Sequence, residues 1–141
     1  MVNLDLVESE LMLDEGFRSR PYLDTATPPR VTIGFGRNLT DKPLTKAEGL
    51  FLLRNDLLDA VHELDARLPW WRGLDDVRGA VLINMAYNLG GARLMGFVKM
   101  LAALRAGDYA TAAAEGRDSQ WFTQVGGRGV RLMQSLETGT R

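Results

Sequence analysis

Asp14-Glu15-Gly16-Phe17-Arg18-Ser19-Arg20-Pro21-Tyr22-Leu23-Asp24-Thr25-Ala26-Thr27-Pro28-Pro29-Arg30-Val31-Thr32-Ile33-Gly34-Phe35-Gly36 is where the texture of the chain changes. Upstream, Leu4, Val7, Leu11 and Leu13 recur at helical spacing, with Glu8, Ser9 and Glu10 opposite. That pattern predicts a helix over 3–15, ended at Gly16. Pro28-Pro29 excludes helix from the middle of the stretch. The β-branched and aromatic residues on either side predict a short antiparallel hairpin, Arg18–Leu23 with Val31–Phe35. The alternating glycines permit close backbone approach.

Downstream of this stretch the pattern is helical. Pro43 closes the small lobe, and Thr45-x-x-Glu48 is a capping box that opens a helix. Leu50, Leu53, Leu57, Val61 and Leu64 form its predicted apolar stripe, and Pro69 ends it. From Leu74, a face of Val77, Val81, Met85 and Leu89 runs to a break at Gly90-Gly91. Further helices are predicted over Phe97–Ala106, Tyr109–Glu115 and Arg128–Leu136. The expected fold is α+β and mainly α: a small antiparallel β-hairpin lobe joined by a connecting helix to a helical bundle lobe. A single domain over 1–141 is expected, with the N-terminal helix over 3–15, the β lobe over about 17–44 and the helical part over about 45–141.

Composition narrows the chemistry. The chain has 141 residues, no cysteine and one histidine, His62. Disulfides and thiolate metal sites are excluded, and neither a multi-histidine metal centre nor a Ser-His triad is expected. No cofactor and no metal are expected. The N-terminus lacks a basic segment followed by an apolar one, and no apolar run reaches bilayer length, so no stable membrane insertion is expected. The charge is uneven. Residues 1–77 carry nine Lys/Arg and fourteen Asp/Glu, a net of −5, whereas residues 78–141 carry eight and four, a net of +4. A basic half can meet a polyanion, although an unevenly charged solvated surface reads the same way.

Two carboxylates stand out by location. Glu15 closes the first helix beside apolar residues, and Asp24 lies in the polar turn of the hairpin lobe. Hydrolysis of a glycosidic bond needs one protonated carboxyl to donate to the leaving oxygen and one ionised carboxyl to activate water or attack the sugar. Apolar and polar surroundings separate those two roles. With eighteen acids in the chain, a helix-end residue and a turn aspartate would otherwise be unremarked.

The ordered set of motifs carries more weight. Leu13-Asp14-Glu15-Gly16-Phe17-Arg18, Pro21-Tyr22-x-Asp24-Thr25 and Thr32-Ile33-Gly34-Phe35-Gly36 together resemble the T-even phage lysozyme family, glycoside hydrolases of endolysin type. Leu74-Asp75-x-Val77-Arg78-x-Ala80-x-Leu82-Ile83-Asn84-Met85, Gly96-Phe97, Trp121-x-x-Gln124, Arg128, Arg131 and Thr138-Gly139-Thr140 follow the same family order. The resemblance covers nearly the whole chain. It implies a muramidase that cleaves the bond between N-acetylmuramic acid and N-acetylglucosamine in peptidoglycan, with inversion. Glu15 would be the general acid, Asp24 and Thr32 the holders of the attacking water, and Arg128 a partner of Glu15. Asn38, Tyr87 and Asn88 fall at sugar-contact positions. A monomer is implied, made in a host cytoplasm and acting on the wall after release by a holin, with no nucleic-acid partner.

The chain departs from the family pattern in three places. Asp24 and Thr32 are two residues further apart than usual, and the lobe after Gly36 is short. Arg37 stands where the family has a histidine paired to an aspartate on the connecting helix. Counting from the Thr45 box places that aspartate at Asp56, so an Arg37–Asp56 pair is expected. Trp70 and Trp71 are expected to be one packed and one partly exposed, and His62 to be a surface residue. Met85, Met95, Met100 and Met133 read as core filler, and Arg117-Asp118-Ser119 as a solvated turn. Two other functions compete with the muramidase. A catalytically weak wall-binding relative conflicts with the intact Glu15, Asp24 and Thr32. A DNA-binding module lacks a recognition helix dense in Arg, Asn and Gln.

Overall fold

The computed structural model describes all residues, Met1–Arg141. The elements follow in the order α1 Leu4–Glu15, β1 Arg18–Leu23, β2 Val31–Gly34, β3 Arg37–Asn38, α2 Lys46–Arg67, a 3-10 turn Pro69–Gly73, α3 Asp76–Leu89, α4 Gly91–Leu94, α5 Val98–Arg105, α6 Tyr109–Arg117, α7 Gln120–Val125 and α8 Gly127–Thr138. The fold is α+β and mainly α, as the periodicities predict. Two compact units divide the chain, Met1–Phe51 and Leu52–Arg141.

In the first unit, Asn3 caps α1 by accepting from the Asp5 and Leu6 amides. No residue of α1 is buried. Leu4, Val7 and Leu11 share one side of the helix, but Leu6 and Leu13 fall on the opposite side, so the predicted stripe is not a single face. The sheet has three antiparallel strands in the order β1-β2-β3, not the two of a plain hairpin. Thr32 pairs with Tyr22 on one side and with Asn38 on the other. The register of β1 breaks between Arg18 and Tyr22, where Pro21 has no N–H for the ladder. The third strand was missed because two residues show no alternation.

The capping box forms as read: Glu48 N–H donates to Thr45 Oγ1 at 3.2 Å, and Thr45 N–H to Glu48 Oε2 at 2.8 Å. The expected α2 stripe is buried only towards its end. Leu50, Leu53 and Leu57 are exposed, whereas Ala60 and Leu64 are buried.

The second unit holds the core, centred on Leu64, Leu82, Met85, Leu94, Met100, Leu104, Met133 and Leu136. Three of the four methionines assigned to packing are fully buried, and Met95 packs against the cluster. Close approach of α6 to its neighbours relies on small residues. Ala112, Ala113 and Gly116 are buried, and a β-carbon at 116 would collide with the Met133 sulfur. Trp71 is buried with its indole N–H donating to Asp65 at 2.8 Å, Trp70 is half-buried and His62 is exposed. The predicted turn at residues 117–119 is more structured than expected. Ser119 caps α7 by accepting from Phe122 N–H, and Arg117 pairs with Glu137 at 2.6 Å. No helix is long and apolar enough to cross a membrane.

Candidate active site

Glu15 is the last residue of α1, which Gly16 ends at φ +66° with its N–H donating to the Met12 carbonyl at 3.2 Å. The Glu15 side chain is exposed and makes no hydrogen bond within its unit, so the apolar shelter read from its neighbours is absent there. Its nearest constraint is the turn between β2 and β3. A β-carbon on Gly36 would lie 2.6 Å from Glu15 Oε2, so the carboxyl rests against the bare glycine. Phe17 and Phe35, one just beyond the helix end and one in that turn, approach with ring centroids 5.2 Å apart.

Asp24 follows β1 and closes the Asp24–Arg30 loop. Its N–H donates to the Arg30 carbonyl at 2.9 Å. Its Oδ1 accepts from Ala26 N–H at 3.0 Å and Arg30 N–H at 2.9 Å. One carboxylate oxygen is therefore fixed by the backbone, and Oδ2 has no protein partner. Thr32 lies on the central strand and is buried, with its hydroxyl 3.5 Å from the Arg30 carbonyl oxygen, a distance at which a bond is weak. Glu15, Asp24, Thr32 and Gly36 all belong to the first unit.

Asn38 is engaged inside its own loop. Its Oδ1 accepts from the Thr40 and Asp41 amides and its Nδ2 donates to Asp41 Oδ2 at 2.9 Å. These bonds give it a turn-forming task.

The expected Arg37–Asp56 pair is not formed. Arg37 instead donates to both oxygens of Glu48, at 2.6 and 2.9 Å, and to the Lys42 and Pro43 carbonyls at 2.9 and 3.0 Å. Those four acceptors occupy the guanidinium, and the short loop after Gly36 brings Glu48 within reach. The Arg37 hydrogen bond, with that from Thr45 N–H, holds the Glu48 carboxyl down at about 2.

In the second unit, Arg128 donates from Nε and Nη2 to Asn84 Oδ1 at 2.9 and 2.7 Å. It borders a cavity of about 420 Å³ lined by Leu53, Leu57, Ile83 and Tyr87. Asn84 was not singled out from sequence, although an amide within an apolar helix face is the signal that marks such a residue. Tyr87 is 42 % exposed. Asn88 is exposed, and its Oδ1 accepts from the Trp121 indole N–H at 2.9 Å. Trp121 is itself buried edge-on to Phe97.

The first unit thus carries a helix-terminal glutamate, an anchored turn aspartate and a buried strand threonine on or beside a three-stranded sheet, and a helical unit follows it in the chain. The phage lysozyme family model matches residues 13–137, and the chain belongs to that family. At that level it is a lysozyme-type glycoside hydrolase with a muramidase-like role, and peptidoglycan is the substrate the family implies. It is 34% identical to probable T4-type lysozyme 2 of Dictyostelium discoideum over 92% of each chain. It is 26% identical to probable T4-type lysozyme 1 of the same organism, covering 92% of this chain and 71% of that one. It is also 31% identical, over 97% of its length, to the pre-baseplate central spike protein Gp5 of Enterobacteria phage T4, of which it spans 28%.

Proposed function

We propose that the chain hydrolyses the β-1,4 bond between N-acetylmuramic acid and N-acetylglucosamine in bacterial peptidoglycan by an inverting acid/base reaction. Glu15 donates its proton to the leaving oxygen. Asp24 and Thr32 hold the water that attacks from the opposite face, and Asp24 takes a proton from it. An inverting site needs about 6.5–9.5 Å between its two carboxyls to accommodate that water. The observation that carries this reading is the asymmetry of Asp24. Two backbone N–H groups fix Oδ1, while Oδ2 is left to bind a water, on the sheet whose central strand bears Thr32.

Arg128, which donates to Asn84, is proposed to pair with Glu15 and hold the acid in place. Tyr87, Asn88 and Asn38 are proposed sugar contacts, Asn88 through its amide donor. The two compact units act as one lysozyme domain over 1–141, monomeric, without cofactor, and with no nucleic-acid partner. The protein is made in a host cytoplasm and reaches the wall after release by a holin, where its activity lyses the cell. Clearing of chloroform-treated Gram-negative cells tests this reading, with Glu15→Gln as the control. Clearing by the wild type and not by the variant supports it. Wall binding without clearing by either favours the catalytically weak relative.

The likeness to a stretch of a phage spike protein supports a second setting, in which the same chemistry is one module of a larger particle component. Sedimentation of the active protein with assembled particles, rather than free, would favour that setting.

A further inference from the structure

We propose that Gly36 is a positioning residue for Glu15, its bare α-carbon forming the floor on which the carboxyl rests. This rests on the assignment of Glu15 as the acid. A β-carbon at position 36 would lie 2.6 Å from Glu15 Oε2, 2.9 Å from Cδ and 3.4 Å from Cγ. Non-bonded carbon atoms settle at about 3.5–4.0 Å, so the carboxyl occupies space that only glycine leaves open.

Gly34, the last residue of β2 and next to that turn, separates this effect from backbone conformation. Gly34 and Gly36 have φ of +68° and +73°, which favour glycine equally. A β-carbon at Gly34, however, would meet nothing within 4 Å. The turn tolerates neither substitution freely, but only position 36 bears on Glu15.

The floor is rigid and what rests on it is not. Phe35 packs its ring on Phe17, and Arg37 is tied by four hydrogen bonds to Lys42, Pro43 and Glu48. Gly36 is the residue between them. Glu15 is exposed, long and without a hydrogen bond in its unit, so an added methyl group displaces the carboxyl at little folding cost. A general acid must stay within hydrogen-bond reach of the leaving oxygen, and a misplacement of about 1 Å costs roughly 10²-fold in rate.

The test compares Gly36→Ala with Gly34→Ala, beside the wild type and Glu15→Gln. It reads thermal melting, kcat and KM on solubilised peptidoglycan, and the ¹³C resonance of the Glu15 carboxyl. The two alanine variants should melt alike. Gly36→Ala should lose roughly 30–100-fold in kcat with KM within about twofold, and Gly34→Ala at most about a tenth of that loss. The Glu15 carboxyl resonance should move only in Gly36→Ala. Parallel losses of kcat in the two variants, or an unmoved resonance in Gly36→Ala, would overturn the proposal. If Glu15→Gln keeps the wild-type rate, the acid assignment fails, and the resonance alone then upholds or overturns the floor.

Discussion

Arg37 and Glu48 form a bidentate ion pair, with Nη1 on Oε1 at 2.6 Å and Nη2 on Oε2 at 2.9 Å. Glu48 is also the last residue of the capping box, so a single carboxylate joins β3 to the first turn of α2. Its folded value is lowered from 4.5 to about 2. The pair's contribution is therefore fully present above pH 4.5 and is lost as pH falls through about 2. Glu48→Gln should melt lower than wild type at pH 6, and the difference should shrink towards pH 2. The losses of Arg37→Ala and Glu48→Gln should not add in the double variant. Additive losses, or a difference that grows on acidification, would rule out the pairing.

Arg78 secures the end of α8. It donates to the Leu136 and Glu137 carbonyls at 2.7 and 2.9 Å and to Asp75 at 2.7 Å, and it lies 3.5 Å from the centre of the Tyr109 ring. Those carbonyls belong to the last turn of the helix, which has no partners of its own. Arg78→Ala should cost about 2–4 kcal/mol by denaturant unfolding. Arg78→Lys should fall between, since an ammonium keeps the charge but not the fork. A loss below about 0.5 kcal/mol for Arg78→Ala would show that the end of α8 is held by other means.

Asp24 has a structural task and a proposed chemical one, and two substitutions separate them. Asp24→Asn keeps an oxygen for the Ala26 and Arg30 amides but cannot take a proton. It should melt near the wild type while hydrolysis falls by roughly 10²-fold or more. Asp24→Ala removes the acceptor as well and should cost about 1 kcal/mol in addition. An Asn variant with near wild-type rate would exclude Asp24 from the chemistry.

Much of this architecture was legible because single residues carry strong local rules. Thr45 and Glu48 announced the start of α2, Pro69 its end, and Pro28-Pro29 the gap between two strands. What was missed is short or depends on contacts distant in sequence. Strand β3 has two residues and α4 has four, too few for a period to show. The partner of Arg37 was misassigned because family spacing was carried past a shortened loop, where Glu48 is nearer in sequence than Asp56. For the candidate site, Glu15, Asp24 and Thr32 were nominated through neighbouring motifs. The roles of Gly36 and Asn84 appear only when the backbone brings them to Glu15 and to Arg128, respectively.

Charge sets a further expectation. The basic half, +4 over residues 78–141, should draw the protein to an anionic wall, and the −5 of residues 1–77 should offset much of that field. Clearing should weaken with added salt, because screening acts over ~8 Å at physiological ionic strength, but only shallowly, because the acidic half already cancels much of the field. A steep fall would show that the basic half acts alone.

The new reducing end formed early in the digestion of purified peptidoglycan, read by proton NMR before mutarotation, reports bond and mechanism together. Cleavage by Glu15 with water held at Asp24 and Thr32 should release N-acetylmuramic acid as the reducing end, initially as the α-anomer from a β-linked substrate. An initial β-anomer would reject the held-water mechanism, and a reducing N-acetylglucosamine, or no new reducing end at all, would reject the muramidase itself.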